Sequence, residues 1–232
     1  MDGWTKKQID YMHDALRFSD YYQVIAAHIA PHLAPGSTLC DAGCGLGELG
    51  LALLPRCRSV TCVDIAPAAI RDLESRAPAG IMPLCGNVAE CLPAVPYDAM
   101  VFCLFGSTGE ALAIAGAQCR GKVFLIKRNY VNHRFSTDTI PIGDHTAEHT
   151  ARELAAWGIP FFAEDFTAEL GQPFRSMTDA REFFSLYNRS EHSITDEELR
   201  SRLCSGPTEE FPLFLPQKKQ LRLFTIETEN IP

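Results

Sequence analysis

The 232-residue chain contains no Cys-x-x-Cys pair, although it holds nine cysteines, at 40, 44, 57, 62, 85, 91, 103, 119 and 204. An odd count without close pairing excludes a disulfide framework and a zinc ribbon. Several thiols sit in apolar runs, such as "SVTCVDI" and "AMVFCLFG", where cysteine acts as a small buried hydrophobe. Reduced thiols predict a cytoplasmic protein. No apolar stretch approaches the ~20 residues of a membrane helix, and "MDGWTKKQIDYMHD" lacks the apolar centre of a secretory signal, so no membrane association is expected. Basic residues never cluster beyond the dipeptides Lys6-Lys7, Lys127-Arg128 and Lys218-Lys219. With 21 Lys and Arg against 29 Asp and Glu, the formal charge is −8. Nucleic-acid backbones demand clustered cations, so no nucleic-acid partner is expected. Internal repeats and low-complexity tracts are absent too.

What the chain has is ordinary globular composition, 46% hydrophobic and 22% charged, and an alternation of short apolar runs with helical stretches. That alternation predicts an α/β, Rossmann-like doubly wound sheet of about seven strands. The strands are expected at "STLCDAG", "SVTCVDI", "GIMPLCG", "YDAMVFCLF", "GKVFLIKR", "IPFFAEDFTAEL" and "KQLRLFTIET". The last follows a long excursion and so is expected to insert antiparallel or lie at an edge. A single domain over 1–232 is expected. Residues 1–36 would form a helical lead-in, with Asp20 capping its second helix. Residues 37–127 would form a ligand-binding half, 128–218 insertions around strand six, and 219–232 the last strand. A short helix is expected around "NVAECL", and further helices at "TAEHTARELAAWG", "SMTDAREFFSLYNR" and "TDEELRSRL".

The informative segment is "LCDAGCGLGELG", residues 39–50, between the first strand and its helix. Glycine there permits positive φ and lets a ligand approach with no Cβ in the way. The free amides of the following helix attract anionic groups, and the crevice beyond the strand ends is where open α/β sheets bind ligands. Two patterns overlap. Gly45-x-Gly47-x-x-Gly50 satisfies the dinucleotide fingerprint, while Asp41-x-Gly43-x-Gly45-x-Gly47 carries an acid inside the strand end. A pyrophosphate gives that acid no purpose, whereas a cationic amino group makes a buried aspartate sensible. Asp64 ends strand two, where a carboxylate accepts bonds from ribose hydroxyls in either kind of site. Its rival role is to cap the helix that Pro67 opens.

In these residues the chain resembles class I methyltransferases that use S-adenosylmethionine (SAM). The resemblance covers residues 20–127 and, more weakly, the last strand. It implies that Asp41 helps hold the ammonium of the methionine moiety, that Gly43, Gly45 and Gly47 form the loop beneath the cofactor, that Asp64 takes the ribose and that Ile65 packs on the adenine. It implies further that Asn87, with the Val88 backbone beside it, meets the adenine amino group, although Asn-Val also suits a local cap. Cys103 and Leu104, at the end of strand four, would border the methionine end.

For the acceptor the resemblance gives only location. Tyr21, Tyr22, Phe105, Lys127, His133 and Tyr187 are candidates on the substrate side, and no catalytic base or metal site is assigned. His145 and His149 stand four apart, on one face if both are helical, but no third metal ligand is evident. An acidic chain with "CLFGS" after strand four points to a small-molecule acceptor. Two alternatives stay open: an NAD(P)-dependent oxidoreductase built on Gly45, Gly47, Gly50 and Asp64, against which no Tyr-x-x-x-Lys is present, and a SAM-binding protein without catalysis.

Overall fold

The computed structural model describes residues 4–232; the first three positions of the expected helical lead-in lie outside the described residues. Helix α1 spans Lys6–Leu16 and starts on a capping box, in which Thr5 accepts from the Gln8 amide and the Gln8 side chain accepts from the Thr5 amide. Helix α2 spans Tyr21–Ile29. Asp20 stands at its N-cap but makes no capping bond. Ser19 does that work, its hydroxyl oxygen accepting the Tyr21 amide at 3.1 Å.

The α/β alternation then runs as the sequence predicts: β1 (Ser37–Ala42), α3 (Glu48–Leu53), β2 (Cys57–Asp64), α4 (Pro67–Glu74), β3 (Ile81–Cys85), β4 (Tyr97–Cys103), α5 (Thr108–Gln118) and β5 (Cys119–Arg128). The helix expected around "NVAECL" does not form. Residues 87–90 make a turn instead, in which the Asn87 side-chain oxygen accepts from the Ala89 amide. An Asx turn of this kind offers the backbone an alternative to helix, and Pro93 stops any continuation.

The second half holds α6 (Ala147–Ala156), β6 (Phe162–Glu169), β7 (Gln172–Phe174), α7 (Met177–Tyr187), α8 (Asp196–Arg202), β8 (Cys204–Ser205), β9 (Leu213–Leu215) and β10 (Lys218–Glu227). The main sheet has seven strands in the order β3-β2-β1-β4-β5-β10-β6. Neighbours from β3 to β5 pair in parallel, and β10 pairs antiparallel with both β5 and β6. The last strand is thus inserted antiparallel between two strands, the first of the two expected arrangements, and does not lie at the edge. The short antiparallel sheet β7-β9-β8 is an addition that sequence periodicity did not show.

Alternating side chains of the central strands feed two apolar layers. Leu39, Val101, Phe124 and Leu223 pack with α2 and α3 on one face. Cys40, Phe102, Leu125 and Phe224 pack with α5 and α6 on the other. A third cluster joins Tyr11 of α1 to Phe174, Phe183, Phe184, Leu199 and Leu215. It ties the lead-in helix to the inserted elements above the C-terminal ends of the strands. No described helix is long and apolar enough to cross a membrane.

Candidate active site

The C-terminal ends of β1, β2 and β4 meet at the glycine loop. Gly43 and Cys44 both donate their amides to the Val63 carbonyl, at 2.9 and 3.0 Å, which stitches the loop to β2. Gly43 and Gly45 have φ of +69° and +55°, and a Cβ on Gly43 would enter the ring of Phe105. A Cβ on Gly45 would lie 3.0 Å from the Trp4 ring, which reaches the loop from the start of α1. These two rings cover the loop, so a ligand that reaches it must slide under them or displace them.

Asp41 is 1% exposed, and its Oδ2 accepts the Gly50 amide at 3.0 Å. Burial pushes its pKa up to about 7, with Asp64 adding to the rise and the Gly50 bond opposing it. No Lys, Arg or His forms an ion pair with it among the described residues. A buried carboxylate without a cation is costly unless a ligand supplies one. The donor set therefore fits a cofactor with an ammonium group.

Asp64 accepts from the Gly45 amide through Oδ2 and from the Ala66 amide through Oδ1, both at 2.8 Å. Its helix-side role and its loop-side role are thus combined, with Ala66 as the N-cap of α4. A carboxylate offers about four acceptor sites, so two bonds leave room for a pair of hydroxyls. Beside it Ile65 is 73% exposed, an apolar surface open to a planar ring. Asn87 lies at the neighbouring end of β3, and its amide nitrogen donates to Glu90 while its oxygen serves the turn. Val88 is buried and its carbonyl accepts from Gln118 at 2.6 Å.

At the end of β4, Leu104 has φ of +56°, the one described non-glycine residue in the left-handed region. Backbone strain of this kind concentrates at functional sites. Cys103 precedes it, and burial, then Asp41, push its thiol up to about 12, so it is protonated near neutrality. Tyr22 on α2 is half-buried, and its pKa is raised by burial, then by Cys103, Glu48 and Asp41. Tyr21 is 1% exposed, and its hydroxyl has no hydrogen-bond partner among the described residues. Cys103, Tyr22, Tyr130 and Arg128 all act on it.

Next to this lies a cavity of about 310 Å³, bounded by Leu104, Gly106, Arg128, Tyr130, His133, Arg134, Phe135, Ile142, His145, Arg189 and Lys219. Among the expected substrate-side residues only His133 lines it directly. Phe105 instead covers Gly43. Lys127 is 2% exposed and donates to the Gly106 carbonyl at 2.8 Å, so it braces the loop after β4. Tyr187 is packed among Phe135 and Phe183 in the third cluster. His145 precedes α6 and His149 lies in its first turn, between Asp144 and Glu153, so the two do not share a helical face.

The cations of the cavity wall are not legible as a cluster in the sequence, because they are scattered at 128, 134, 189 and 219. Only the folded chain gathers them. The formal charge of −8 concealed a local basic cluster.

No protein-family model matches the chain, and no curated protein matches its sequence. Solved structures do match in shape. The YcgJ protein of Bacillus subtilis superposes with a TM-score of 0.53 at 11% identity, over 87% of this chain and 97% of its own. Precorrin 8w decarboxylase of Methanobacterium thermoautotrophicum gives 0.51 at 16% identity, over 88% of each chain. A geranyl diphosphate methyltransferase in complex with SAM gives 0.50 at 16%, over 89% and 85%. The chain thus has the Rossmann-like fold of class I SAM-dependent methyltransferases. Two of these are named for different activities, a decarboxylase and a methyltransferase, and a shared fold does not select between them.

Proposed function

We propose that the protein is a SAM-dependent methyltransferase acting on a small molecule in the cytoplasm. The observation that carries this reading is Asp41, a buried carboxylate at the glycine loop with no cation of its own. A dinucleotide's pyrophosphate would meet that acid with like charge, whereas an amino-acid ammonium would complete it. The nine free cysteines favour a reducing compartment.

When bound, the cofactor supplies an electrophilic methyl on a sulfonium, which the acceptor's lone pair takes while the sulfur keeps the bonding pair. The protein's part is alignment and the exclusion of water, worth several kcal/mol without any covalent step. Asp41 would hold one end of the cofactor and Asp64 the ribose, while Ile65, and Asn87 with the Val88 backbone, would border the adenine. Cys103 and Leu104 stand where the methyl would be presented. Tyr22 reaches the same place from α2, and Phe105 closes the loop side. Lys127 holds the turn of Leu104–Gly106 through the Gly106 carbonyl. Burial, then Arg189 and Arg128, lower the pKa of His133, which favours the neutral imidazole that can take up a proton from a protic acceptor. Tyr187 acts at one remove, by packing against Phe135 of the cavity wall.

Calorimetric titration with SAM, S-adenosylhomocysteine and NADH tests the proposal. Micromolar binding of both adenosyl ligands and none of NADH is expected. Asp64→Ala should weaken binding by about tenfold or more, the worth of roughly one or two hydrogen bonds to a charged group. Ile65→Asp, at an exposed position that the fold does not depend on, should weaken it similarly. Binding of NADH alone, or of none of the three, would overturn the reading.

A further inference from the structure

The cavity beside Leu104 is walled by four cations from four separate places. Arg128 ends β5, Arg134 belongs to the 129–145 loop, Arg189 follows α7, and Lys219 is the second residue of β10. None of the four forms an ion pair with a carboxylate among the described residues. By contrast Arg17, Arg76, Arg120, Arg175 and Arg222 all have acidic partners. Glu169 is the carboxylate that acts on Lys219, and it accepts the Gln217 amide at 2.5 Å and does not line the cavity. In a chain of net charge −8, gathering unpaired cations around one hollow costs repulsion. Lys219 registers it: burial, then Arg128, lower its pKa to about 8.

The wall is built rather than incidental. The 129–145 loop folds back on itself through the His133 amide to the Ile140 carbonyl (2.7 Å) and the Ile142 amide to the Val131 carbonyl (2.9 Å). Asn188 and Ser190 fasten it to the segment after α7. Arg134 stacks on the Tyr130 ring at 4.4 Å, and Lys219 lies 5.1 Å over the ring of Tyr21. Beneath Lys219, the hydroxyl of Tyr21 is fully buried and has no partner among the described residues, with Cys103, Tyr130 and Arg128 around it. The cavity volume of about 310 Å³ is at the small end of ligand pockets, roughly 300–1,000 Å³.

We propose that this cavity is the acceptor site and that its ligand is a small anion, a molecule whose phosphate or carboxylate group rests on Arg128, Arg134 and Lys219. Its methyl-accepting end then points to Cys103 and Leu104. This rests on the methyltransferase reading for the meaning of "acceptor", but not for the binding of the anion. Guanidinium groups pair with both oxyanions through paired N–H donors, so geometry favours the class and leaves the oxyanion to experiment. A longer polyanion such as RNA would need cations along an exposed track, and these converge on a hollow instead.

The test is titration of the full chain with inorganic pyrophosphate, with citrate and with an unstructured RNA 20-mer, with and without S-adenosylhomocysteine. Saturable binding of pyrophosphate or citrate is expected, and the tighter of the two identifies the oxyanion. The variants Arg128→Gln, Arg134→Gln and Lys219→Gln should each weaken it by about fivefold or more, with Arg134→Lys between Arg134→Gln and wild type. S-adenosylhomocysteine binding should survive in all of them, which also shows that they fold. If S-adenosylhomocysteine binds and neither small anion does, or if the variants bind anions as wild type does, the inference falls and the methyltransferase reading stands. If anions bind and S-adenosylhomocysteine does not, the methyltransferase reading falls and takes the acceptor role with it. RNA binding tighter than either small anion, lost in the same variants, would also overturn the inference.

Discussion

Asp41 is a carboxylate placed where water barely reaches it, and its ionisation is a cost the unbound fold bears. Its pKa stands at about 7 in the fold against an ordinary 3.8. Between those values the folded chain holds a proton that the unfolded chain has released. Stability of the unliganded protein should therefore fall as pH rises from about 4 to about 7, and this contribution should level off above. Asp41→Asn keeps an oxygen for the Gly50 amide and removes the slope. Urea unfolding at pH 5 and pH 8 should show the variant matching or exceeding wild type at pH 8, while adenosyl ligands bind at least tenfold more weakly. A variant as pH-sensitive as wild type would place the titration elsewhere.

The loop between β1 and α3 lives at the scale of an element, because its shape depends on residues from three others. Gly43 has positive φ, and the Phe105 ring occupies the place of its missing Cβ. Gly43→Ala should cost about 1–3 kcal/mol from the backbone alone, with overlap against Phe105 added. Phe105→Ala in the same chain should return part of that loss, a coupling that a double-mutant cycle in thermal unfolding measures directly. Much of this element was legible beforehand. The acid, the glycines and the strand–helix switch are contiguous, and contiguous signals survive in a sequence. What covers the loop was not legible, since Trp4 and Phe105 approach it from 41 residues before Gly45 and 62 residues after Gly43. The β7-β9-β8 sheet was equally hidden, because strands of two or three residues are too short to show alternation. The cavity cations were hidden for the opposite reason, having full-size signals dispersed over two strands and two inserted segments.

At the scale of the whole molecule, α1 is the bridge between the glycine loop and the inserted elements. Tyr11 is 4% exposed, donates its hydroxyl to Asp179 at 2.8 Å and packs edge-on against Phe183 at 5.2 Å. Lys7 pairs with Glu182 on the same helix, α7. Trp4, at the other end of the bridge, rests on Gly45. Tyr11→Ala should cost about 3–5 kcal/mol, in line with other large aromatic truncations. It should also free Trp4, seen as a red-shifted tryptophan emission and faster amide exchange over residues 6–16. Unchanged exchange there would mean that α1 is held by the loop and not by α7.

The order of the main sheet carries a consequence for how the chain is made. Strand β10 sits between β5 and β6, yet the ribosome delivers it after both, 49 residues beyond the end of β6. At about 5–20 residues per second, synthesis takes roughly 2–10 s to supply it. Through that interval β5 and β6 each have an edge with unpaired amides and carbonyls, the usual template for pairing with a foreign strand. Five of the seven strands can assemble during translation, but β6 joins them only once β10 arrives, and Lys219 reaches the cavity wall with the same strand. The anion site is therefore among the last features of the molecule to exist.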